Sequence, residues 1–223
     1  MNSRNYFIFF CIISSIYLIL TVFNLDHITW CMKPFLIPFL ILAVITKETF
    51  QTKKWLFLAL LFSWIGDVIL LFSERDELFF IFGLLFFLVA HILFIILFVK
   101  QPSVINHKNS NWFWFGLGII ALYLFGMLSL LIPKLGSLTI PVSIYASTIS
   151  IMLIEALKGI FNWKKNARKT VLVGAFLFVI SDSILAINKF YCLLPMASFT
   201  IMSTYLIAQY CITAGILKLN ERN

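Results

Sequence analysis

Charged residues are scarce in this sequence. Asp, Glu, Lys and Arg make up only 12% of its 223 residues, whereas 62% of the residues are hydrophobic and the mean hydropathy is +1.03. A soluble domain of this length cannot bury so much apolar surface. The composition therefore excludes a soluble fold and predicts an all-α membrane protein that crosses the bilayer several times, as one transmembrane domain over residues 1–223.

Residue types that bind metals are also few. The chain has three His and four Cys, with no CxxC and no Cys/His spacing typical of a metal site. His91 is the only histidine inside a predicted helix, whereas a zinc hydrolase typically needs three protein ligands. We therefore predict neither metal nor cofactor, which argues against a zinc-dependent lipid amidase. Cys31 and Cys192 fall in predicted outer loops, where a disulfide and two free thiols are the alternatives.

Eight apolar stretches predict eight transmembrane helices. They cover Tyr6–Phe23, Pro34–Ile45, Trp55–Phe72, Leu78–Val99, Trp112–Ile132, Leu138–Leu157, Thr170–Ile187 and Leu194–Leu219. The second is short against the roughly 20 residues that a span requires, so it either begins earlier or lies tilted. The first has no small-residue cleavage site and is interpreted as a helix rather than a signal peptide.

The basic residues are divided unevenly between the predicted loops. If the N-terminus is cytoplasmic, only Lys33, Arg75, Lys134 and Lys189 of the 17 Lys and Arg residues fall on the outer side. This asymmetry predicts that both termini are cytoplasmic, as in a multi-pass protein of a bacterial inner (plasma) membrane. The net charge of +8 then reflects topology and contact with anionic lipid heads. Binding to nucleic acid is not expected, because no basic patch is interleaved with stacking aromatics.

Two aspartates lie inside predicted helices in similar surroundings. Asp67 follows Ile65-Gly66, Asp182 follows Ile180-Ser181, and each is about 18 Å along its helix from the predicted cytoplasmic start. A carboxylate in hydrocarbon is costly and is a functional-site candidate by default. We predict that the two carboxyls form a pair with one proton between them, one acting as acid and the other as base. The alternative is that each pairs separately with a neighbouring helix.

The similar settings of Asp67 and Asp182 also suggest a parallel internal repeat of four plus four helices, with half-repeats at about residues 1–110 and 111–223. A second short similarity, between Leu88-Val89-Ala90-His91 and Leu206-Ile207-Ala208-Gln209, supports it. Parallel repeats often place a binding site at their interface near mid-membrane. Chance similarity within a small apolar alphabet is the alternative.

Other polar residues at this depth are candidates for binding a substrate. His91 and Gln209 lie about 18 Å along the fourth and eighth predicted helices, and Tyr205 shares a helix face with Gln209. For all three, a hydrogen bond between helices is the alternative role. Tyr145 on the sixth helix begins a stripe of partly polar residues.

Two lysines at predicted outer helix ends are candidates for binding a lipid phosphate. Lys33 ends the second helix, and Lys189 lies seven residues beyond Asp182, on the same face and about 10 Å further along. The alternative for either lysine is extension to the membrane interface. Glu155 is three residues from Lys158 and is interpreted as its ion-pair partner.

Several short motifs resemble those of the YhhN family of integral membrane lysoplasmalogenases. They are Lys33-Pro34, Gly66-Asp67, Gly83-x-x-Phe86-Phe87-x-x-Ala90-His91, Pro141-x-x-x-Tyr145, Gly174-Ala175-x-x-Phe178-x-x-Ser181-Asp182, Asn188-Lys189-Phe190 and Tyr205-x-x-x-Gln209. Each motif is weak alone, but together they occur in the family's order from about Lys33 to Gly215.

The resemblance implies an eight-helix membrane hydrolase that cleaves the vinyl-ether bond of lysoplasmalogens, releasing a fatty aldehyde and glycerophosphoethanolamine or glycerophosphocholine. The family's two aspartates fall on Asp67 and Asp182, the expected catalytic residues. Polar residues of the matched motifs are the expected substrate-binding residues: Lys33, His91, Tyr145, Ser181, Asn188, Lys189, Tyr205 and Gln209. The expected partners are the lysophospholipid substrate and membrane lipid.

The chemistry of a vinyl ether fits two carboxyls. Its hydrolysis requires protonation at the β-carbon and water attack on the resulting oxocarbenium ion, which a carboxylic acid and a carboxylate can provide.

Two other functions use similar residues. A proton-coupled lipid or small-molecule transporter also needs paired intramembrane carboxylates, and a lipid sensor without catalysis would bind the lipid and leave it intact.

Overall fold

The fold is all-α. A computed structural model describes residues 3–103, 111–163 and 167–221, and within these ranges it contains nine α-helices and no strand. The helices are α1 (Ser3–Val22), α2 (Asp26–Met32), α3 (Leu36–Ile45), α4 (Lys53–Leu70), α5 (Glu77–Val99), α6 (Asn111–Leu135), α7 (Thr139–Asn162), α8 (Ala167–Phe190) and α9 (Ala197–Leu219). Helix is present at all eight predicted positions, which confirms the predicted fold class.

Six helical stretches of the described chain are long and apolar enough to cross a membrane. One of them, Asn111–Asn162, contains both α6 and α7, joined by a 3₁₀ turn at Gly136–Leu138. Helix α4 does not belong to the six. The protein is therefore an integral, multi-pass membrane protein, while the number of spans and their direction stay predictions.

The second predicted helix begins earlier than its apolar run. Helix α2, a 3₁₀ turn at Lys33–Phe35 and α3 together form a 20-residue candidate span, Asp26–Ile45. Cys31, predicted in an outer loop, lies in α2, so that prediction was wrong. Lys33, predicted at the outer end of the second helix, lies inside this segment. The polar residues Asp26 and His27 lie outside the apolar run, and Pro34 occupies the first turn of the 3₁₀ segment.

A proline in this segment explains one contact between helices. Pro38 has no backbone N–H, so the carbonyl of Pro34, four residues earlier, cannot receive the usual helical hydrogen bond. The indole Nε1 of Trp64 donates to that carbonyl at 2.7 Å. The bond connects α4 to the Asp26–Ile45 segment. It gives the Pro34 carbonyl a hydrogen-bond donor, which the bilayer does not provide.

The described chain divides into two compact units, Met1–Leu97 and Phe98–Asn223. In the first unit, α1 packs on α3 and α3 packs on α4. Helix α5 approaches α4 closely where two glycines meet, since a Cβ added to Gly66 would lie 2.8 Å from the Phe87 ring and 3.3 Å from the carbonyl oxygen of Gly83. The residue before Asp67 is thus small because α5 crosses there.

In the second unit, α6 packs on α7, α7 on α8, and α8 on α9. The α8–α9 hairpin is the tightest contact. A Cβ added to Gly174 would lie 2.9 Å from the carbonyl oxygen of Ala208 and 2.9 Å from the backbone nitrogen of Ile212. Small residues at such crossings let helix backbones approach, which drives packing in lipid.

Other sequence predictions can be compared with the described residues. Cys31 and Cys192 are both exposed and carry free thiols. Lys158 and Glu155 form the predicted ion pair. Lys108, Lys164, Lys165 and Arg222, assigned to the cytoplasmic side, lie outside the described residues.

Gly174→Ala should destabilise the protein by about 1–3 kcal/mol, because the added methyl group meets backbone atoms of α9 that cannot move aside. Thermal unfolding in detergent measures this loss of stability. The matched control is Gly126→Ala in α6, where nothing lies within 4 Å of the added Cβ. The control should be neutral or slightly stabilising because alanine favours a helix. Equal effects of the two substitutions would contradict the close α8–α9 crossing.

Candidate functional site

Asp182 has a direct hydrogen-bond partner within the second unit. Its side chain on α8 is only 8% exposed, and the hydroxyl of Tyr145 on α7 donates to Oδ2 at 2.7 Å. Tyr145 is itself buried. A hydrogen bond to a carboxyl in a dry environment is strong and directional, so α7 fixes the orientation of this carboxyl.

Two further tyrosines surround the same aspartate. Tyr123 on α6 forms a 2.6 Å hydrogen bond with Ser183, the residue after Asp182, and is close enough to Asp182 to interact with it electrostatically. Tyr205 on α9 lies near Tyr145. Helices α6, α7 and α9 therefore each bring a phenol to the Asp182 region of α8, which makes this region a polar site inside an apolar bundle.

Gln209 extends this polar site along α9. The side chain is fully buried, and its Nε2 lies 3.3 Å from the hydroxyl of Tyr205, to which it donates. The predicted shared face of Tyr205 and Gln209 is confirmed. Phe178 packs edge-on against Tyr205, with ring centroids 5.4 Å apart, and holds that ring in place.

Asp67 has different surroundings within the first unit. It lies on α4 and is only 4% exposed. Lys33, in the 3₁₀ turn between α2 and α3, interacts electrostatically with it, and so does Tyr17 on α1. A cation beside a buried carboxylate offsets much of the cost of its charge. Lys33, predicted to bind a lipid phosphate, also has a buried acidic neighbour.

The other four predicted site residues differ in burial and in the groups that they contact. His91 on α5 is completely buried. Ser181 donates to the carbonyl oxygen of Ile201 at 2.9 Å, which is a hydrogen bond between α8 and α9. Asn188 accepts a hydrogen bond from the backbone N–H of Leu194 at 2.8 Å and so shapes the α8–α9 connection. Lys189, next to it in the last turn of α8, is exposed.

The sequence reasoning missed Tyr17 and Tyr123. Both lie in helices that carry no acidic residue, so nothing in their local sequence indicates a polar site. The only signal was the general rule that a buried tyrosine hydroxyl needs a partner. Among the residues that the structure describes, no group of three His, Cys, Asp or Glu is placed to hold a metal ion.

The family model of the YhhN family matches residues 28–216, which is most of the chain. The chain belongs to the YhhN family. The matched segment includes both aspartates, Lys33 and the three tyrosines around Asp182. Tyr17 lies outside the matched segment.

Two curated relatives carry the same name. The chain is 32% identical to "Lysoplasmalogenase TMEM86A" of Homo sapiens over 174 residues, which cover 74% of this chain and 66% of the relative. It is 31% identical to the protein of that name from Bos taurus over 181 residues, which cover 78% of this chain and 69% of the relative. The chain thus spans about two thirds of the length of these relatives. No solved structure matches the chain.

Lys33→Met should destabilise the protein by about 1–3 kcal/mol, because it leaves the Asp67 carboxylate buried without its cation. The matched control Lys134→Met removes an exposed lysine and should change stability little. Thermal unfolding of the purified variants in detergent provides the measurement.

A double-mutant cycle separates this charge effect from packing. Asp67→Asn should recover part of the stability that Lys33→Met loses, because the uncompensated charge is then removed. Additive losses in the double variant would contradict an interaction between the two side chains.

Proposed function

We propose that the protein is a lysoplasmalogenase that hydrolyses the vinyl-ether bond of a lysoplasmalogen within the membrane. The observation that carries the proposal is that a YhhN family chain, related to proteins named lysoplasmalogenase, buries two carboxyls inside apolar helices. Two acids and no metal are sufficient for this hydrolysis. The products would be a fatty aldehyde and glycerophosphoethanolamine or glycerophosphocholine.

The reaction needs one acid and one base. A carboxylic acid transfers its proton to the β-carbon of the vinyl ether, and the positive charge is then shared between the α-carbon and the ether oxygen. Water adds to the α-carbon and loses a proton to a carboxylate. The resulting hemiacetal collapses to the aldehyde, while its hydroxyl proton goes to the departing glycerol oxygen. One water is consumed and the two carboxyls exchange roles.

Asp67 and Asp182 are the proposed acid and base. Their surroundings differ, as the two roles require: Asp67 has a lysine as its neighbour, whereas Asp182 receives a phenol hydrogen bond. The Tyr145 hydroxyl can hold the Asp182 carboxyl in one orientation through Oδ2.

The proposal has a topological part. Eight spans with both termini in the cytoplasm would place Lys189 at the outer end of α8, seven residues beyond Asp182 and about 10 Å further along the helix. An exposed lysine at that position can bind the phosphate of a lysolipid whose vinyl ether reaches Asp182.

Asp67→Asn and Asp182→Asn should each abolish aldehyde release from lysoplasmalogen in detergent, because an amide neither donates nor accepts a proton near neutral pH. The matched control is Asp76→Asn. Asp76 is exposed, its Oδ1 accepts the backbone N–H of Leu78, and asparagine can preserve that bond. The control should keep full activity. A wild-type protein that releases no aldehyde would favour a carrier, and full activity in either test variant would contradict the assignment.

Tyr145→Phe should lower kcat by about ten- to a hundredfold while KM changes little, because a charge-assisted hydrogen bond contributes about 1.5–3 kcal/mol and this one orients Asp182 rather than the lipid. Steady-state aldehyde release measures both constants. Tyr191→Phe, at an exposed tyrosine, is the control and should behave as wild type. A rise in KM with kcat unchanged would show that Tyr145 binds the substrate instead.

A further inference from the structure

Two serines of the first unit have buried hydroxyls for which the described residues provide no hydrogen bond. Ser63 on α4 has zero exposure and Ser14 on α1 is 7% exposed, and the Oγ atom of each has no partner. Buried polar groups almost always have a hydrogen-bond partner. The two hydroxyls therefore point to a ligand.

Neither serine forms the bond that usually satisfies a serine within a helix. Ser150 on α7, which is also buried, donates to the carbonyl oxygen of Ala146, four residues earlier, at 2.8 Å. Such a bond pairs the hydroxyl with the backbone of its own helix. The hydroxyls of Ser14 and Ser63 form neither this bond nor a bond with each other, so both can bind another molecule.

Helix α4 is antiparallel to the Asp26–Ile45 segment. At its start, Lys53 donates to the carbonyl oxygen of Ile45 at 2.9 Å, and further along, Trp64 donates to the carbonyl oxygen of Pro34. Later residues of α4 thus lie beside earlier residues of the segment.

Helix α1 is antiparallel to the same segment. The ring of Phe9 stacks on the ring of Phe39, with centroids 6.1 Å apart. Tyr17, about two turns later on α1, lies near Asp67, which neighbours Lys33 in the earlier part of the segment. Helices α1 and α4 therefore run in the same direction, with Tyr17 and Asp67 at one level.

The two serines lie one turn before this level on their helices. Ser14 precedes Tyr17 by three positions, Ser63 precedes Asp67 by four, and each shares a helix face with the residue that it precedes. Because the helices are parallel, the serines lie at nearly the same height, about 4.5 and 6 Å below Tyr17 and Asp67. The long side chain of Tyr17 brings its phenol near Asp67, whereas the short serine side chains do not reach each other.

The charges beside the serines favour a neutral, polar ligand. The Asp67 carboxylate disfavours an anion and the Lys33 ammonium disfavours a cation, while an alkyl chain has no group that bonds to a hydroxyl. A water molecule can accept from Ser63, exchange a hydrogen bond with Ser14 and donate to Asp67. Buried waters typically make about three such bonds.

We propose that Ser14 and Ser63 bind a water molecule beside Asp67, and that Asp67 takes a proton from this water during hydrolysis. The inference rests on the proposed hydrolase function and makes Asp67 the base of the proposed pair. The water oxygen forms its new bond with the α-carbon of the vinyl ether, and its proton passes to the carboxylate. Since an apolar bundle excludes bulk water, a water bound at the base supplies this reactant.

Ser63→Ala should lower kcat for aldehyde release by about three- to tenfold with KM unchanged, because the water loses one hydrogen bond. Steady-state kinetics in detergent measure both constants. The matched control is Ser150→Ala, which removes a buried hydroxyl that already donates to its own helix, and it should keep its kcat. Wild-type kcat in Ser63→Ala, or a higher KM with kcat unchanged, would overturn the proposal.

A double-mutant cycle on stability does not depend on catalysis. If both hydroxyls hold one water, Ser14→Ala and Ser63→Ala should each lower the free energy of unfolding. The double variant should lose less than the sum, because the first substitution already weakens the water site. Independent, additive losses would overturn the shared water, and so would a more stable alanine variant, which is the result expected for a hydroxyl without any partner.

The two measurements separate this inference from the proposed function. If the wild-type protein releases no aldehyde, the proposed function fails, while the stability cycle still decides whether the serines hold water. If the cycle shows coupling but Ser63→Ala keeps its kcat, the water is structural, and its proposed role as the reactant is overturned.

Discussion

A carboxyl group buried among apolar helices must have partners inside the protein, because lipid provides neither hydrogen bonds nor counter-charges. The chain meets this demand in two ways. Asp182 receives a hydrogen bond from Tyr145, with other phenols nearby. Asp67 lies beside a lysine. The arrangement of helices around each aspartate follows from these partners, which come from α6, α7 and α9 in one unit and from α1 and the α2–α3 segment in the other.

Backbone N–H and C=O groups inside the bilayer also need hydrogen-bond partners within the protein. Pro38 leaves the Pro34 carbonyl without its helical bond, and Trp64 provides one from α4. The Ser181 hydroxyl donates to a carbonyl of α9, so the residue before Asp182 connects α8 to α9. Backbones also approach closely at Gly66, where α4 meets α5, and at Gly174, where α8 meets α9. The first of these crossings is at the residue before Asp67.

The helices were predictable because each is an apolar run of sufficient length, and such runs have few other stable structures in a membrane. The sequence left open whether the second helix begins earlier or lies tilted, because the polar residues Asp26 and His27 precede its apolar run. The position of Lys33 inside this segment followed only from the structure. The face shared by Tyr205 and Gln209 was predicted correctly because it depends only on helix periodicity. Tyr17 and Tyr123 were missed because their aspartates are distant in sequence.

By itself, the amino-acid sequence determined that the protein is helical and embedded in a membrane, and that Asp67 and Asp182 are its unusual residues, since composition and periodicity act locally along the chain. Only the tertiary structure decided which side chains surround each carboxyl, that Ser181 and Asn188 bond backbone groups, and that the buried hydroxyls of Ser14 and Ser63 have no hydrogen bond from the described residues. The physical reason is that a hydrogen bond between helices depends on their rotation and depth, and the packing of the whole bundle sets both.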